Sequence, residues 1–197
     1  MDWPSQKPGR HWTDTIFAVA ALAVSGISLW IGIGTEKAND KMVAAESWPF
    51  LQIQSSNNDD NGHPRVELAL VNAGVGPAKL ESLEIVWQGK AYSSSEYLLS
   101  ACCGFRAYAF PSTGHTPVST SGVHDIVIRA GETLPFLDLP LGADNDPAWH
   151  ALDRERFKMH FCACYCSVFD DCWVSDLKQL HPQRVDKCPV PKVAYLE

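Results

Sequence analysis

The sequence predicts a mainly β protein, an antiparallel β-sandwich preceded by one N-terminal transmembrane helix. Three observations lead there: an uncharged apolar block from Thr15 to Gly34, a succession of short alternating runs punctuated by Gly, Pro, Asn and Asp, and seven cysteines that all lie beyond residue 100. At a rise of about 1.5 Å per residue, about 20 apolar residues cover the ~30 Å hydrocarbon core of a bilayer. Trp12 and Trp30 stand near the two ends of the block, where indole rings favour the headgroup region. A signal peptide has a shorter apolar core of about 7 to 15 residues. The rival reading therefore rests on Gly32 and Gly34 as weak small-residue cleavage positions.

Four segments follow: a cytoplasmic tail over 1–14, a transmembrane helix over 15–34, a charged helical stalk over 35–47 (TEKANDKMVAAES), and one extracytoplasmic domain over 48–197. About 150 residues make one ordinary domain with its own core. The net charge of -7 and pI near 5.4 argue against a nucleic-acid partner, because neutralising phosphates takes clustered Lys and Arg. Orientation from basic residues is a tie, Lys7 and Arg10 before the helix against Lys37 and Lys41 after it. The cysteines decide for an oxidising side, which places the N-terminus in the cytoplasm of a bacterium and the domain in the periplasm. Within the helix, Ala18, Ala21, Ser25, Ser28 and Gly32 recur at spacings of three and four. Such a stripe of small side chains admits a second membrane helix, from another subunit or another copy, although Ala-rich segments also show stripes by chance.

In the outer domain, Trp48-Pro49 breaks the stalk and Phe50 to Gln54 alternates as a first strand. The SNNDDNGHP stretch is a polar connection in which Asn61-Gly62 suits a hairpin turn. Arg65 to Asn72 places Val66, Leu68 and Leu70 on one face, and NAGVGPAKL carries the glycines and proline of a bend or bulge. Leu83, Ile85 and Trp87 face one way on the next strand, while Lys90 to Val123 is mainly loop, with a short capped helix in SSSEYLLSACC. Asp125 to Arg129 and Thr133 to Leu139 are expected to pair across Ala130-Gly131-Glu132, with Pro135 at a sheet edge. Asp146 acts as the cap that starts a helix at Pro147, and Arg156 to Ser167 with Cys172 to Leu177 forms the last hairpin. Short strands at such spacing suit a sandwich resembling the immunoglobulin fold, with Trp87 as its core tryptophan. No cysteine lies on the Val66 to Val71 strand, so the usual bridge between sheets has no counterpart.

On an extended strand, His160, Cys162, Cys164 and Cys166 share one face and Met159, Phe161, Ala163 and Tyr165 the other. Same-face neighbours sit about 6.5 to 7 Å apart, beyond the roughly 3.5 to 4.5 Å between Cβ atoms of a disulfide, so the three strand cysteines cannot bond one another. Cys166 and Cys172 flank a five-residue loop and are the first expected bridge. Cys188 is expected to strap the tail back to Cys164, and Cys162 to take Cys102 or Cys103, leaving one thiol over. Metal is the rival: the cluster with His160, Asp170 and Asp171 has ligand types for zinc, copper(I) or an iron–sulfur centre. An intact strand keeps its thiolates from converging, however, and no C-x-x-C at a helix N-terminus lowers a thiol pKa for redox work.

Other polar groups have plainer readings. Asp144-Asn145-Asp146 lacks a complete EF-hand pattern, and Asn57 to Asn61 is a solvated turn. His124-Asp125 near Ser119 and Ser121 has no G-x-S-x-G elbow, and neighbours on a strand face opposite ways. Gly74 and Gly76 lack the G-K-[ST] of a phosphate cradle, and Trp87 and Trp173 read as core.

Asn72-Ala-Gly-Val-Gly-Pro-Ala78 and Cys164-Tyr-Cys-Ser-Val-Phe-Asp-Asp-Cys-Trp173 resemble motifs of uncharacterised single-pass bacterial membrane proteins with an extracytoplasmic sandwich. The resemblance implies an anchored architecture and a disulfide-bearing hairpin, and it implies no activity. The expectation is thus a non-catalytic, membrane-anchored interaction module without a cofactor, an accessory subunit of a larger membrane or envelope complex. The alternative is a metal-binding or thiol-redox protein that uses the Cys162 to Cys172 cluster.

Overall fold

The computed structural model describes residues 11–105, 118–143 and 145–197. The expected tail over 1–14 therefore lies mostly outside the described residues, as do Lys7, Arg10, Asp144 and the centre of the long middle loop. The chain divides after Ala45 into two compact units.

The first unit is dominated by α1 (His11–Glu46), a single unbroken helix of 36 residues. At about 1.5 Å per residue it runs roughly 54 Å, more than the ~30 Å a bilayer core demands. It is long and apolar enough to cross a membrane. The helix formers of the stalk carry it on past Gly34, and it stops short of Pro49, which lacks an amide donor. Helix and strand thus contribute about equally to the chain, and "mainly β" describes the second unit rather than the whole.

The second unit is built from two antiparallel sheets. One has the order β1 (Leu51–Asn58), β2 (Pro64–Asn72), β7 (Thr133–Pro140), β5 (Ser119–Thr120). The other runs β10 (Gln183–Val185), β9 (Cys172–Ser175), β8 (His160–Cys166), β3 (Ala78–Trp87), β4 (Lys90–Tyr92), and β6 (Ile126–Ile128) also pairs with β3. Alternation sets which side is buried. Val66, Leu68 and Leu70 of β2, Leu83 and Ile85 of β3, and Phe161, Ala163 and Tyr165 of β8 belong to one core. Phe136 of β7 meets Phe161 of β8 edge-on at 6.4 Å between ring centroids, so the two sheets share that core. Helices α2 (Ser95–Cys103) and α3 (Asp146–Glu155) add Leu98, Leu99, Trp149 and Leu152 to it.

Three expectations need correction. β1 runs on to Asn58, because main-chain pairing with β2 continues through Ser55, Ser56 and Asn58 after the apolar alternation has ended. The turn beyond it is held by Asp59, whose carboxylate accepts from the amides of Asn61 and His63. Next, β6 and β7 do not pair with each other: β6 lies on β3 and β7 lies between β2 and β5. The Ala130-Gly131-Glu132 turn is a corner at which the chain changes sheets, with Gly131 at φ +74°. Third, Asp146 does not cap α3. Asn145 precedes the helix and instead closes the loop, accepting from the Gly142 amide and donating to the Pro140 carbonyl at 2.8 Å each. Asp146 pairs with His150 one turn on. Pro135 keeps its expected edge position: opposite Ala69 at a register shift, it lies beyond the reach of the two-residue β5, on a stretch of β7 that pairs with β2 alone among the described strands.

The C-terminal tail is structural. Between its pairings with β6 and β4, β3 leaves an edge carbonyl at Leu83, and the Tyr195 amide donates to it at 2.8 Å. The Tyr195 ring is buried against Phe136 at 5.6 Å. Burial raises its phenol, which stays protonated and hydrogen-bonds Ser95 at the start of α2.

Candidate functional site: a sulfur cluster on the outer face of the β8 sheet

The face of β8 that carries Cys162, Cys164 and Cys166 is turned away from the core, because Phe161, Ala163 and Tyr165 claim the inner side. Antiparallel pairing sets Cys166 directly opposite Cys172 on β9. The two form a disulfide with Cα atoms 4.0 Å apart. The connecting loop folds back through Ser167 and Asp171 main-chain bonds, with Asp170 at φ +62°. Two ion pairs hold its rim, Lys79 with Asp170 and Arg184 with Asp171. The tail returns over this face, and Cys188 is bonded to Cys164 with Cα atoms 5.7 Å apart. These are the two pairings expected for the hairpin and the strap.

The third expected bridge is absent. Cys102 bonds its neighbour Cys103, and Cys162 is free. The physical reason is sidedness: Cys103 sits in the core and Cys102 packs against it, whereas Cys162 projects from the outer face of β8. An extended strand cannot turn one of its outward side chains through the sheet.

The expectation that sulfur atoms on this strand cannot converge also needs revision. It holds within β8, but β9 and the tail bring sulfurs from elsewhere. The Sγ atoms of Cys166 and Cys188, members of different bridges, lie 3.8 Å apart. Those of Cys166, Cys172 and Cys188 all fall within 4.8 Å of one another. Tetrahedral zinc at about 2.3 Å from each sulfur requires sulfurs about 3.8 Å apart. These side chains would therefore make a ligand set for a thiophilic ion, but only with the bridges reduced, since a metal binds thiolate and a disulfide offers none.

A cleft of about 460 Å³ opens beside the cluster, lined by Cys166, Cys172 and Cys188 together with His124, Asp186 and Lys187. A smaller one of about 160 Å³ holds Cys162 and Cys164 against Glu84, Val174 and Pro189. Partial burial pushes the Cys162 thiol up, and the carboxylates of Glu84 and Asp176 add to the effect. Its alkylation by iodoacetamide should accordingly follow an apparent pKa above the roughly 8.5 of an unperturbed cysteine. The check is a rate profile against pH, with the urea-unfolded chain as reference. A folded profile at or below the unfolded one would contradict this account of the site.

The remaining candidates separate cleanly. His124 and Asp125 do meet, Nε2 to Oδ2 at 3.0 Å, because Asp125 has φ +52° and the pair lies in a bend rather than on a strand. Both are exposed, and the contact is a surface pair. Trp87 is buried and donates from Nε1 to Glu155 at 2.9 Å, while Trp173 packs on Tyr165. Ala18, Ala21, Ser25, Ser28 and Gly32 are all exposed on α1, and the Ser25 hydroxyl is satisfied by the Ala21 carbonyl at 2.8 Å. Gly74 and Gly76 cradle main chain, not phosphate: the amides of Val75 and Gly76 both donate to the Trp48 carbonyl.

Sequence reasoning missed Asn72, which has no exposed surface and whose side chain reaches four main-chain groups. A polar residue ending an apolar strand before two close glycines was the available signal. Comparison of the chain with protein-family models, with curated proteins and with solved structures finds no match.

Proposed function

We propose that this protein is a non-catalytic interaction module tethered to a bacterial cytoplasmic membrane by α1, with the N-terminus inside and the β domain in the periplasm. It would serve there as an accessory subunit of a membrane or envelope complex. The observation that carries this reading is the pair of disulfides on the outer face of β8, since such bridges persist where thiols are oxidised. An apolar helix of spanning length supplies the tether, and the acidic net charge speaks against a nucleic-acid partner. As part of the same proposal, the two sheets form an immunoglobulin-like sandwich without the usual bridge between sheets. The resemblance of Asn72–Ala78 and Cys164–Trp173 to single-pass bacterial membrane proteins points the same way.

Two experiments test it. A membrane-impermeant maleimide, applied after mild reduction to cells whose outer membrane alone has been opened, should label the domain. Labelling that appears only after the cytoplasmic membrane is lysed overturns the orientation. Separately, gentle solubilisation of native membranes should release the chain in a larger assembly, and Ala18→Leu together with Ser25→Leu should reduce that assembly. A chain that migrates alone in its native detergent extract removes the subunit reading.

A second reading, metal or thiol chemistry at the Cys162 to Cys172 cluster, is favoured by the approach of three sulfurs to within 4.8 Å of one another. Elemental analysis with a free-thiol count separates the two, because bound metal and several reduced cysteines belong only to the second.

A further inference from the structure

We infer that the Cys164–Cys188 and Cys166–Cys172 bridges act as one two-electron exchange unit, open to dithiols through the adjoining cleft, whose half-reduced form carries a new Cys166–Cys188 bridge. The inference needs the bridges and is independent of any partner subunit.

The geometry supports it in three ways. Cys166 and Cys188 belong to different bridges, and their sulfurs are 3.8 Å apart, near van der Waals contact. The supporting main chain is fixed: Cys164 and Cys166 are on the central part of a sheet, paired with β3 on one side and β9 on the other. Finally, Cys166, Cys172 and Cys188 all line the cleft of about 460 Å³, so a reductant can approach both bridges from one side.

The chemistry converges whichever bridge is reduced first. A dithiol gives two electrons and two protons to Cys166–Cys172 and leaves as its own disulfide. The Cys166 thiolate then attacks the Cys188 sulfur, a Cys166–Cys188 bond forms, and the Cys188–Cys164 bond breaks. The electron pair departs on Cys164, which takes up the proton that Cys166 gave off. If Cys164–Cys188 is reduced first, the Cys188 thiolate attacks Cys166 and expels Cys172 in the same manner. Both routes end with Cys166 joined to Cys188 and with thiols at Cys164 and Cys172. In that form the tail is still fastened to β8, while the β8–β9 hairpin has lost its own bridge.

The test uses the full chain in detergent and a phosphine reductant, raised stepwise until the four-cysteine cluster holds a single bridge. Acid quenching, alkylation and non-reducing peptide mapping then identify that bridge. The expected result is Cys166–Cys188 as the main single-bridge species, with Cys164 and Cys172 alkylated. Single-bridge protein that retains only Cys164–Cys188 or only Cys166–Cys172 overturns the inference. The untreated sample, mapped in parallel, keeps the two conclusions apart. If it lacks both bridges, the exchange unit and the periplasmic reading fall together. If it has both and no Cys166–Cys188 appears on reduction, the exchange unit alone falls.

Discussion

Replacing Asn72 by Leu should lower the stability of the β domain by at least about 4 kcal/mol, since each buried polar group left without a partner costs roughly 1 to 3 kcal/mol. The side chain has no exposed surface and uses both of its ends. Its Oδ1 accepts from the amides of Phe50 and Gly74 at 3.2 and 3.1 Å, and its Nδ2 donates to the carbonyls of Gly76 and Ile128 at 2.8 and 3.0 Å. These partners come from three places: the entry to β1, the loop after β2, and β6 on the other sheet. The Asn72 main chain adds a link to the corner, accepting from Gly131 at 2.8 Å and donating to Glu132 at 3.0 Å. Leucine keeps the branched outline, but its methyl groups are bulkier than the amide they replace, and it leaves two donors and two acceptors without their partner. Asn72→Asp separates the two ends: its carboxylate still accepts, but it sets negative charge against two carbonyls. It should recover part of the loss in acid, where the neutral carboxyl donates one bond. Urea unfolding followed by tryptophan fluorescence, with bridges intact, reads all three proteins. An Asn72→Leu variant within about 1 kcal/mol of the parent, the net value of one ordinary hydrogen bond, would show that the site is not the junction described here.

What the sequence revealed and what it hid divides along a physical line. Periodicity reports which face of an element is buried, so α1, the inner residues of β2, β3 and β8, and the hairpin bridge at Cys166 and Cys172 were all legible. Periodicity says nothing about which strand a strand will choose. Asp125 to Arg129 and Thr133 to Leu139 have the spacing of a hairpin, yet the corner at Gly131 sends them to different sheets because Asn72 binds that corner from both. The sulfur cluster was half legible for a similar reason. Distances along β8 exclude bonds within the strand, but the approach of Cys188 to Cys166 depends on where the tail crosses, and residues 189–194 carry no regular pattern that would announce it. Cys102 and Cys103 illustrate the opposite limit: their adjacency in sequence suggests a choice of partner for Cys162, but the core side of the fold keeps both away from the outer face.

Gly76→Ala should be comparably damaging, for a steric reason and not a conformational one. Gly76 is not at positive φ, so its backbone would accept alanine in isolation. A Cβ built there would meet the Ser47 carbonyl oxygen at 2.1 Å and the Ser47 carbonyl carbon at 2.2 Å, and one at Gly74 would meet the Phe50 amide nitrogen at 2.4 Å. All of these are main-chain atoms, which cannot swing aside as a side-chain tip can. The segment Ser47 to Phe50 is held in the loop by main-chain hydrogen bonds, from Val75 and Gly76 to the Trp48 carbonyl at 3.0 and 3.1 Å and from Ala73 to the Phe50 carbonyl at 2.8 Å, besides the bond from the Phe50 amide to Asn72. Relieving the overlap means lifting that segment out and giving up those bonds with the burial of Pro49 and Phe50, a loss of about 3 to 5 kcal/mol at about 1 kcal/mol per bond plus apolar burial. Gly62→Ala is the matched reference: Gly62 stands at φ +81° with nothing within 4 Å of a Cβ, and left-handed backbone alone costs about 1 to 2 kcal/mol. The Gly76→Ala variant should also be cut by protease between Ala45 and Leu51 faster than the parent, while the Gly62→Ala variant should not. Equal losses in the two variants, with no new cleavage, would mean that the segment shifts freely and that the fit of residues 47–50 against the glycine loop does not hold the first strand in place.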